Sequence, residues 1–258
     1  MLKLEIINLT LVRFMSLIIN TIKLNLARTY MGAFGYRGEL RGLKESTAIK
    51  LEKSLTIADC DEIIKRFEDC LNNSRIDDVA VKVWEDDSGS DTRIVNFEQV
   101  INKDLLDRLD VENKIKMIEL YLGRKVRSWS LMVNRVRYKP ENLGSGGGWH
   151  RDSPFSHQIK FIWYLSQVTE GCGPFQYIPK SNSAKSRSEY GVGRYRFEEG
   201  EITGVIKTVI GNKGSMLICD TAAIHRGAPI RVKCDRYALS LYTSPHKSGV
   251  AKIFNLNE

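Results

Sequence analysis

The sequence predicts an α+β chain in which a helical front half supports a jelly roll, the sandwich or barrel architecture shared with cupins. Two observations carry this. Apolar residues recur at helical spacing up to about residue 125 and at a period of two beyond it. From residue 128 onward, seven short runs read as strands, separated by Gly, Pro, Asn or Ser as in an all-β domain. At 258 residues and 42% hydrophobic, the chain suits one structural unit: a helical support region over 1–125 and a β-rich core over 126–258.

In chain order, residues 6–26 come first. Arg13, Ser16, Asn20 and Lys23 form a polar stripe at +3/+4 steps, while Leu11, Phe14, Met15, Ile18, Ile19, Ile22 and Leu26 fill the rest, which predicts an amphipathic helix. Only residues 14–22 are free of charge, far short of the roughly 20 that a spanning helix needs. No small-residue cleavage site follows a basic start, so no signal peptide is expected. Packing on the domain is the expectation. The alternative is a peripheral contact with an anionic membrane, helped by Arg28, Arg37, Arg41 and Lys44. Gly32, Gly35, Gly38 and Gly42 mark 30–50 as an irregular connection. Thr56 with Asp59 opens a helix to about residue 71, with Cys60, Ile63, Ile64, Phe67 and Leu71 as its apolar face. Residues 80–84 read as a strand and 85–91 as an acidic turn. Helices follow over 97–109 and 111–122, the second capped by Gly123. Strands are expected over 128–138, 158–165, 175–178, 204–210, 215–220, 229–233 and 237–243.

The net charge is +8, and residues 126–258 alone carry +9. That excess suits an anionic small-molecule substrate or co-substrate. It is weak support for nucleic acid, because no nucleic-acid motif appears and the aromatics do not interleave with the basic runs. Five cysteines without C-x-x-C spacing predict reduced thiols and a cytoplasmic protein, with neither a disulfide framework nor a cysteine zinc site.

The chemistry centres on Trp149-His150-Arg151-Asp152, which ends the glycine run 144–148. On an extended strand, side chains two apart share a face, so His150 and Asp152 offer one imidazole and one carboxylate to the same divalent metal. His225, far downstream beside a turn, is a candidate third ligand, completing the 2-His-1-carboxylate arrangement of non-haem Fe(II) sites. Arg236, eleven residues later, carries a planar fork of donors suited to a carboxylate.

Taken together, His150-x-Asp152, His225 and Arg236 resemble the phytanoyl-CoA dioxygenase family of Fe(II)/2-oxoglutarate-dependent oxygenases. Trp149, Leu165-Ser166-Gln167 and the segment from Gly173-Pro174 to Ser181-Asn182 agree with it, over roughly residues 128–243. The resemblance implies a double-stranded β-helix with Fe(II) on His150, Asp152 and His225. It implies Arg236 on the distal carboxylate of 2-oxoglutarate, with Asn134 and Lys160 as further co-substrate contacts. Period two groups Lys160 with Ile162 and Tyr164, against Phe161, Trp163 and Leu165, and either set suits the interior. Gly227 stands where several relatives carry a co-substrate Ser, so that contact is missing or replaced. Asn182 stands where relatives carry a non-ligand His, and Asp152 argues against a halogenase.

The implied reaction is hydroxylation of a small organic substrate, with 2-oxoglutarate and O2 converted to succinate and CO2. Desaturation, epimerisation or cyclisation by the same cofactors is the alternative, and a non-catalytic cupin-like binding protein is the rival from another class. The polar, glycine-punctuated stretch 184–201 reads as a lid whose Lys185, Arg187, Arg194 and Arg196 suit a substrate phosphate or carboxylate. His157 and His246 read as loop residues, and Asp220 as a candidate to orient a metal ligand.

Overall fold

The computed structural model describes residues 38–72, 82–191 and 193–247, with Met15, Ile19, Ile22 and Leu26. Those four are helical and exposed; the rest of the amphipathic segment 6–26 lies outside the described residues. The helices are α1 (Glu39–Ser46), α2 (Ile57–Asn72), α3 (Lys103–Leu109), α4 (Val111–Leu122) and α5 (Ala184–Glu189). The strands are β1 (Ala48–Leu51), β2 (Lys82–Glu85), β3 (Asp91–Val95), β4 (Ser128–Arg137), β5 (Ile159–Tyr164), β6 (Phe175–Tyr177), β7 (Lys207–Val209), β8 (Met216–Asp220), β9 (His225–Gly227) and β10 (Asp235–Ser244).

Helix α2 starts where a capping box satisfies its free amides. The Thr56 hydroxyl accepts from the Asp59 amide (3.1 Å), and the Asp59 carboxylate accepts from the Thr56 amide (3.2 Å). Helix α4 ends at Gly123 in the left-handed region (φ 64°). Among the described residues all strand pairings are antiparallel and form two sheets. The larger runs β1-β8-β5-β10-β4-β3-β2 and the smaller β7-β6-β9, giving the double-stranded β-helix.

Alternation along the strands assigns the two faces of the larger sheet. Leu131, Val133, Phe161, Trp163, Leu239 and Leu241 face outward and pack with Ile63, Phe67, Ile118 and Tyr121 of α2 and α4. The opposite face presents Ile162, Tyr164, Leu217, Cys219 and Ala238 to Phe175 and Tyr177 of the smaller sheet. Lys160 therefore belongs to the interior row. Strand β5 is buried at all six positions, so its composition has no polar face to announce which side is inward.

Several expectations change. The support region supplies three strands to the larger sheet: β1 within the stretch read as irregular, β2 near its expected place, and β3 just beyond the acidic turn. Residues 229–233 form no strand; the chain pairs earlier, as β9 against β6, because the register Tyr177↔His225 brings the candidate ligand into the sheet. The expectation of five reduced thiols is corrected as well. Cys172 and Cys234, 62 residues apart, are joined in a disulfide, because the β5–β6 loop and the turn before β10 fold against each other. Among the described residues no helix is long and apolar enough to cross a membrane.

Candidate metal centre

The His-x-Asp strand is held edge to edge against β9. His150 and His225 exchange backbone hydrogen bonds, N to O 2.9 Å in each direction, and the Asp152 amide donates to the Thr221 carbonyl at 3.0 Å. This pairing brings two imidazoles, 75 positions apart in sequence, to a ring separation of 4.3 Å. The glycine run makes the approach feasible: a Cβ on Gly146 (φ 87°) would collide with the His150 ring.

Each ring is oriented by its other nitrogen. His150 Nδ1 meets the Gly148 carbonyl at 2.8 Å and His225 Nδ1 meets the Ala223 carbonyl at 2.9 Å. A carbonyl only accepts, so each Nδ1 carries the proton and each Nε2 keeps its lone pair for a metal. Asp152 Oδ1 lies 3.8 Å from His150 Nε2, and Asp152 Oδ2 lies 3.7 Å from His225 Nε2. Together His150, Asp152 and His225 place one ligand atom each within 4.8 Å of one another. Burial, reinforced by the neighbouring imidazole, pushes His150 down to about 3. Burial also lowers His225. Burial would raise Asp152, but the Lys160 ammonium outweighs it and holds the carboxyl below its usual range. The set is therefore two neutral imidazoles and a carboxylate, the donor chemistry of a facial Fe(II) site.

Arg236, near the start of β10, is 4% exposed and faces the same cavity, with its Nε and Nη1 lacking a hydrogen-bond partner. Two orphaned donors on a buried guanidinium are what a bound carboxylate would satisfy. Asn134 stands beside it on β4, donating to Asp91 Oδ1 and Ser145 Oγ at 3.2 Å each. The Gly227 departure has a counterpart here. A Cβ on Gly227 would stand 2.8 Å from Ser145 Cβ and 3.0 Å from Arg236 Nη1, so the Ser145 side chain occupies the space beside the arginine.

Lys160 goes elsewhere than beside Arg236. Its ammonium lies 2.7 Å from Asp152 Oδ2 and 4.1 Å from the centroid of the Tyr242 ring. Tyr242 is six residues along β10 from Arg236, about 20 Å of strand at 3.3 Å per residue.

Stretch 184–201 is a docked strap. Arg196 bridges His150 in antiparallel fashion, the Phe197 amide donates to the Trp149 carbonyl (3.0 Å), and the Arg151 amide donates to the Tyr195 carbonyl (2.8 Å). Glu199 ties it down by accepting from Trp149 Nε1 at 3.1 Å and from Arg226 Nη1 at 2.5 Å. The residue before one candidate histidine and the residue after the other thus grip the same carboxylate. Arg194 is bound to Glu201 (2.7 Å), and Arg196 donates to the Gly146 and Gly147 carbonyls, so neither waits unpaired for a substrate anion. Arg187 lies outside the described side chains, and Lys185 is exposed near Glu189 (3.8 Å).

The Asp220 carboxylate is not a hydrogen-bond partner of either candidate histidine ring, whose Nδ1 atoms meet backbone carbonyls. It pairs with His157, accepts from Asn182 Nδ2 at 2.7 Å and from the Gln158 and Ala222 amides at 3.2 Å each. His157, read as a bland loop residue, is therefore part of a buried network beneath the site. The sequence reading also missed Ser145, Tyr242 and Arg93, which line the cavity. Arg93 bonds Asp91 at 2.5 Å and stacks over Trp84 at 4.7 Å. Only the basic character of residue 93 next to a tryptophan across a hairpin hinted at it.

The phytanoyl-CoA dioxygenase (PhyH) family model matches residues 48–238. No curated protein matches the sequence. Among solved structures, the chain is similar to the non-heme alpha ketoglutarate dependent epimerase SnoN from nogalamycin biosynthesis. That likeness has a TM-score of 0.59 at 15% identity and covers 83% of this chain and 86% of that one. The carbocyclase SnoK of the same biosynthesis aligns with TM-score 0.60 at 14% identity, over 83% and 88%. HygX from Streptomyces hygroscopicus, with nickel, 2-oxoglutarate and hygromycin B bound, aligns with TM-score 0.54 at 12% identity, over 80% and 86%. At these identities the likeness establishes the shared fold. With the family match running from β1 into β10 and taking in His150, Asp152, His225 and Arg236, the chain belongs to the phytanoyl-CoA dioxygenase family of iron- and 2-oxoglutarate-dependent enzymes.

Proposed function

We propose that the chain oxidises a small organic substrate using Fe(II), 2-oxoglutarate and O2, most simply by hydroxylation. The observation that carries this is one cavity in which three ligand atoms converge and a buried guanidinium has two unused donors. His150, Asp152 and His225 would hold the metal and leave its other positions open. Bound iron would supply oxygen activation coupled to decarboxylation of 2-oxoglutarate to succinate and CO2. Arg236 would take the distal carboxylate, with Asn134 and Ser145 setting the polar wall beside it. The strap and the two sheets keep the metal ligands out of bulk water, which strengthens each of these charged contacts. An anionic substrate agrees with the positive excess of the half that forms the site, although the strap arginines are engaged on the protein itself.

A second outcome, epimerisation or ring closure, is favoured by the likeness to SnoN and SnoK, whose descriptions name those reactions. It uses the same residues and differs in where the substrate carbon sits. A small-molecule metabolite is the substrate class that the hygromycin B named with HygX and the nogalamycin biosynthesis named with SnoN suggest.

The test is turnover of 2-oxoglutarate to succinate after anaerobic Fe(II) loading and exposure to oxygen. Wild type is expected to form succinate slowly without substrate, and His225→Ala to form none. Equal succinate from both, or no binding of Fe(II) and 2-oxoglutarate by wild type, would leave the non-catalytic binding protein as the better reading.

A further inference from the structure

We propose that Lys160 makes metal binding depend on the dianionic co-substrate, by neutralising Asp152 before the metal arrives. This rests on the iron and 2-oxoglutarate reading above. The charged and titratable groups facing the cavity are Arg93, His150, Asp152, Lys160, His225, Arg236 and the phenol of Tyr242. Arg93 is matched by Asp91 at 2.5 Å, and Asp152 is matched by Lys160 at 2.7 Å. Each histidine turns Nδ1 to a backbone carbonyl and Nε2 towards Asp152, so neither pairs with Arg236, whose Nε and Nη1 are unpartnered. Before any ligand enters, the cavity therefore carries one surplus positive charge.

A divalent metal alone raises that surplus, and it must share its single carboxylate with an ammonium that is itself only 7% exposed and poorly screened. A dianion that chelates the metal and reaches Arg236 removes most of the surplus. Lys160 thus sets a weak affinity for metal alone and a large gain when 2-oxoglutarate joins it. The placement supports this role over direct co-substrate contact, because Lys160 packs on Tyr242 at the far end of β10's inner row from Arg236. Acting through Asp152, Lys160 is a positioning residue.

The experiment is calorimetric titration with Ni(II), which avoids oxidation, with and without saturating 2-oxoglutarate. Wild type, Lys160→Met and Lys160→Arg are compared, with circular dichroism to confirm folding; Lys160→Gln replaces the Met variant if that one does not fold. Neutral variants are expected to bind Ni(II) alone more tightly than wild type, with an enhancement by 2-oxoglutarate smaller by about tenfold, the scale of effects from groups contacting metal ligands. Lys160→Arg keeps the charge and is expected to keep the enhancement. An enhancement unchanged in the neutral variants would overturn this inference while leaving the metal site intact. Loss of enhancement in Lys160→Arg as well would show that shape, not charge, is responsible, and would also overturn it. A folded wild type that binds no Ni(II) under either condition would bring down the metal reading and this inference with it.

Discussion

At Gly227 the missing side chain is what lets Ser145 and Arg236 share one corner, since a Cβ would come within 2.8 Å of Ser145 Cβ. Gly227→Ser is expected to weaken 2-oxoglutarate binding by about tenfold, the consequence of overpacking at about 1–3 kcal/mol. The double change Ser145→Gly with Gly227→Ser, which moves the hydroxyl across the gap, is expected to restore most of it; equilibrium dialysis measures both. Asp220 illustrates a residue whose role is stability. Burial alone would raise its carboxyl, but the His157 charge and hydrogen bonds from His157, Asn182 and the Ala222 amide prevail and hold it at about 2. A depressed carboxylate contributes stability that is present above its unfolded value near 4 and is lost as pH falls towards 2. Asp220→Ala is expected to cost about 3 kcal/mol at neutral pH, as for breaking a buried pair. It should also flatten stability between pH 4 and 2, as urea unfolding across that range would show. The candidate triad His150, Asp152 and His225, with Arg236, was legible because the chemistry of such a site restricts the residue types. Ser145, Asp91 and His157 were not, because common polar residues acquire a role only from what stands opposite them.

Among the elements, the strap bears most directly on access to the site. Besides its backbone pairing and the Arg196 contacts, it is held by one exposed glutamate on two largely buried partners, Trp149 and Arg226. Glu199 is 68% exposed, so screening limits the strength of the pair. Glu199→Ala is expected to leave the global unfolding midpoint within a few degrees. Exchange at the Phe197 and Arg151 amides, which bond to Trp149 and Tyr195, should rise by about tenfold through local opening. Hydrogen exchange read by NMR distinguishes this from a change confined to the surface. Composition marked 184–201 as a basic lid. The docking against the His-x-Asp strand was hidden, because Tyr195-Arg196-Phe197 is too short to read as a strand and its partner is some 46 residues away.

For the whole molecule, the division at residue 125 does not separate independent bodies. Strands β1, β2 and β3 belong to the same seven-stranded sheet as β4, β5, β8 and β10, and α2 and α4 cover its outer face. A fragment of residues 126–258 is expected to lack a cooperative thermal transition and to bind a hydrophobic dye, since it would expose Phe161, Trp163, Leu239 and Leu241. Within the full chain, Phe67→Ala is expected to cost about 3–5 kcal/mol by opening a cavity under that sheet, measurable by denaturant unfolding.

The sequence by itself determined the class of fold and marked His150, Asp152, His225 and Arg236 as candidates for one site, since periodicity and residue chemistry are local properties. Only the tertiary structure decided which face of β5 is inward, that the Lys160 ammonium pairs with Asp152, and that Cys172 meets Cys234. Those outcomes depend on strand register and on what lies across the barrel. A strand buried on both faces, or two residues brought together by distant pairings, leaves no periodic trace in the chain from which to read them.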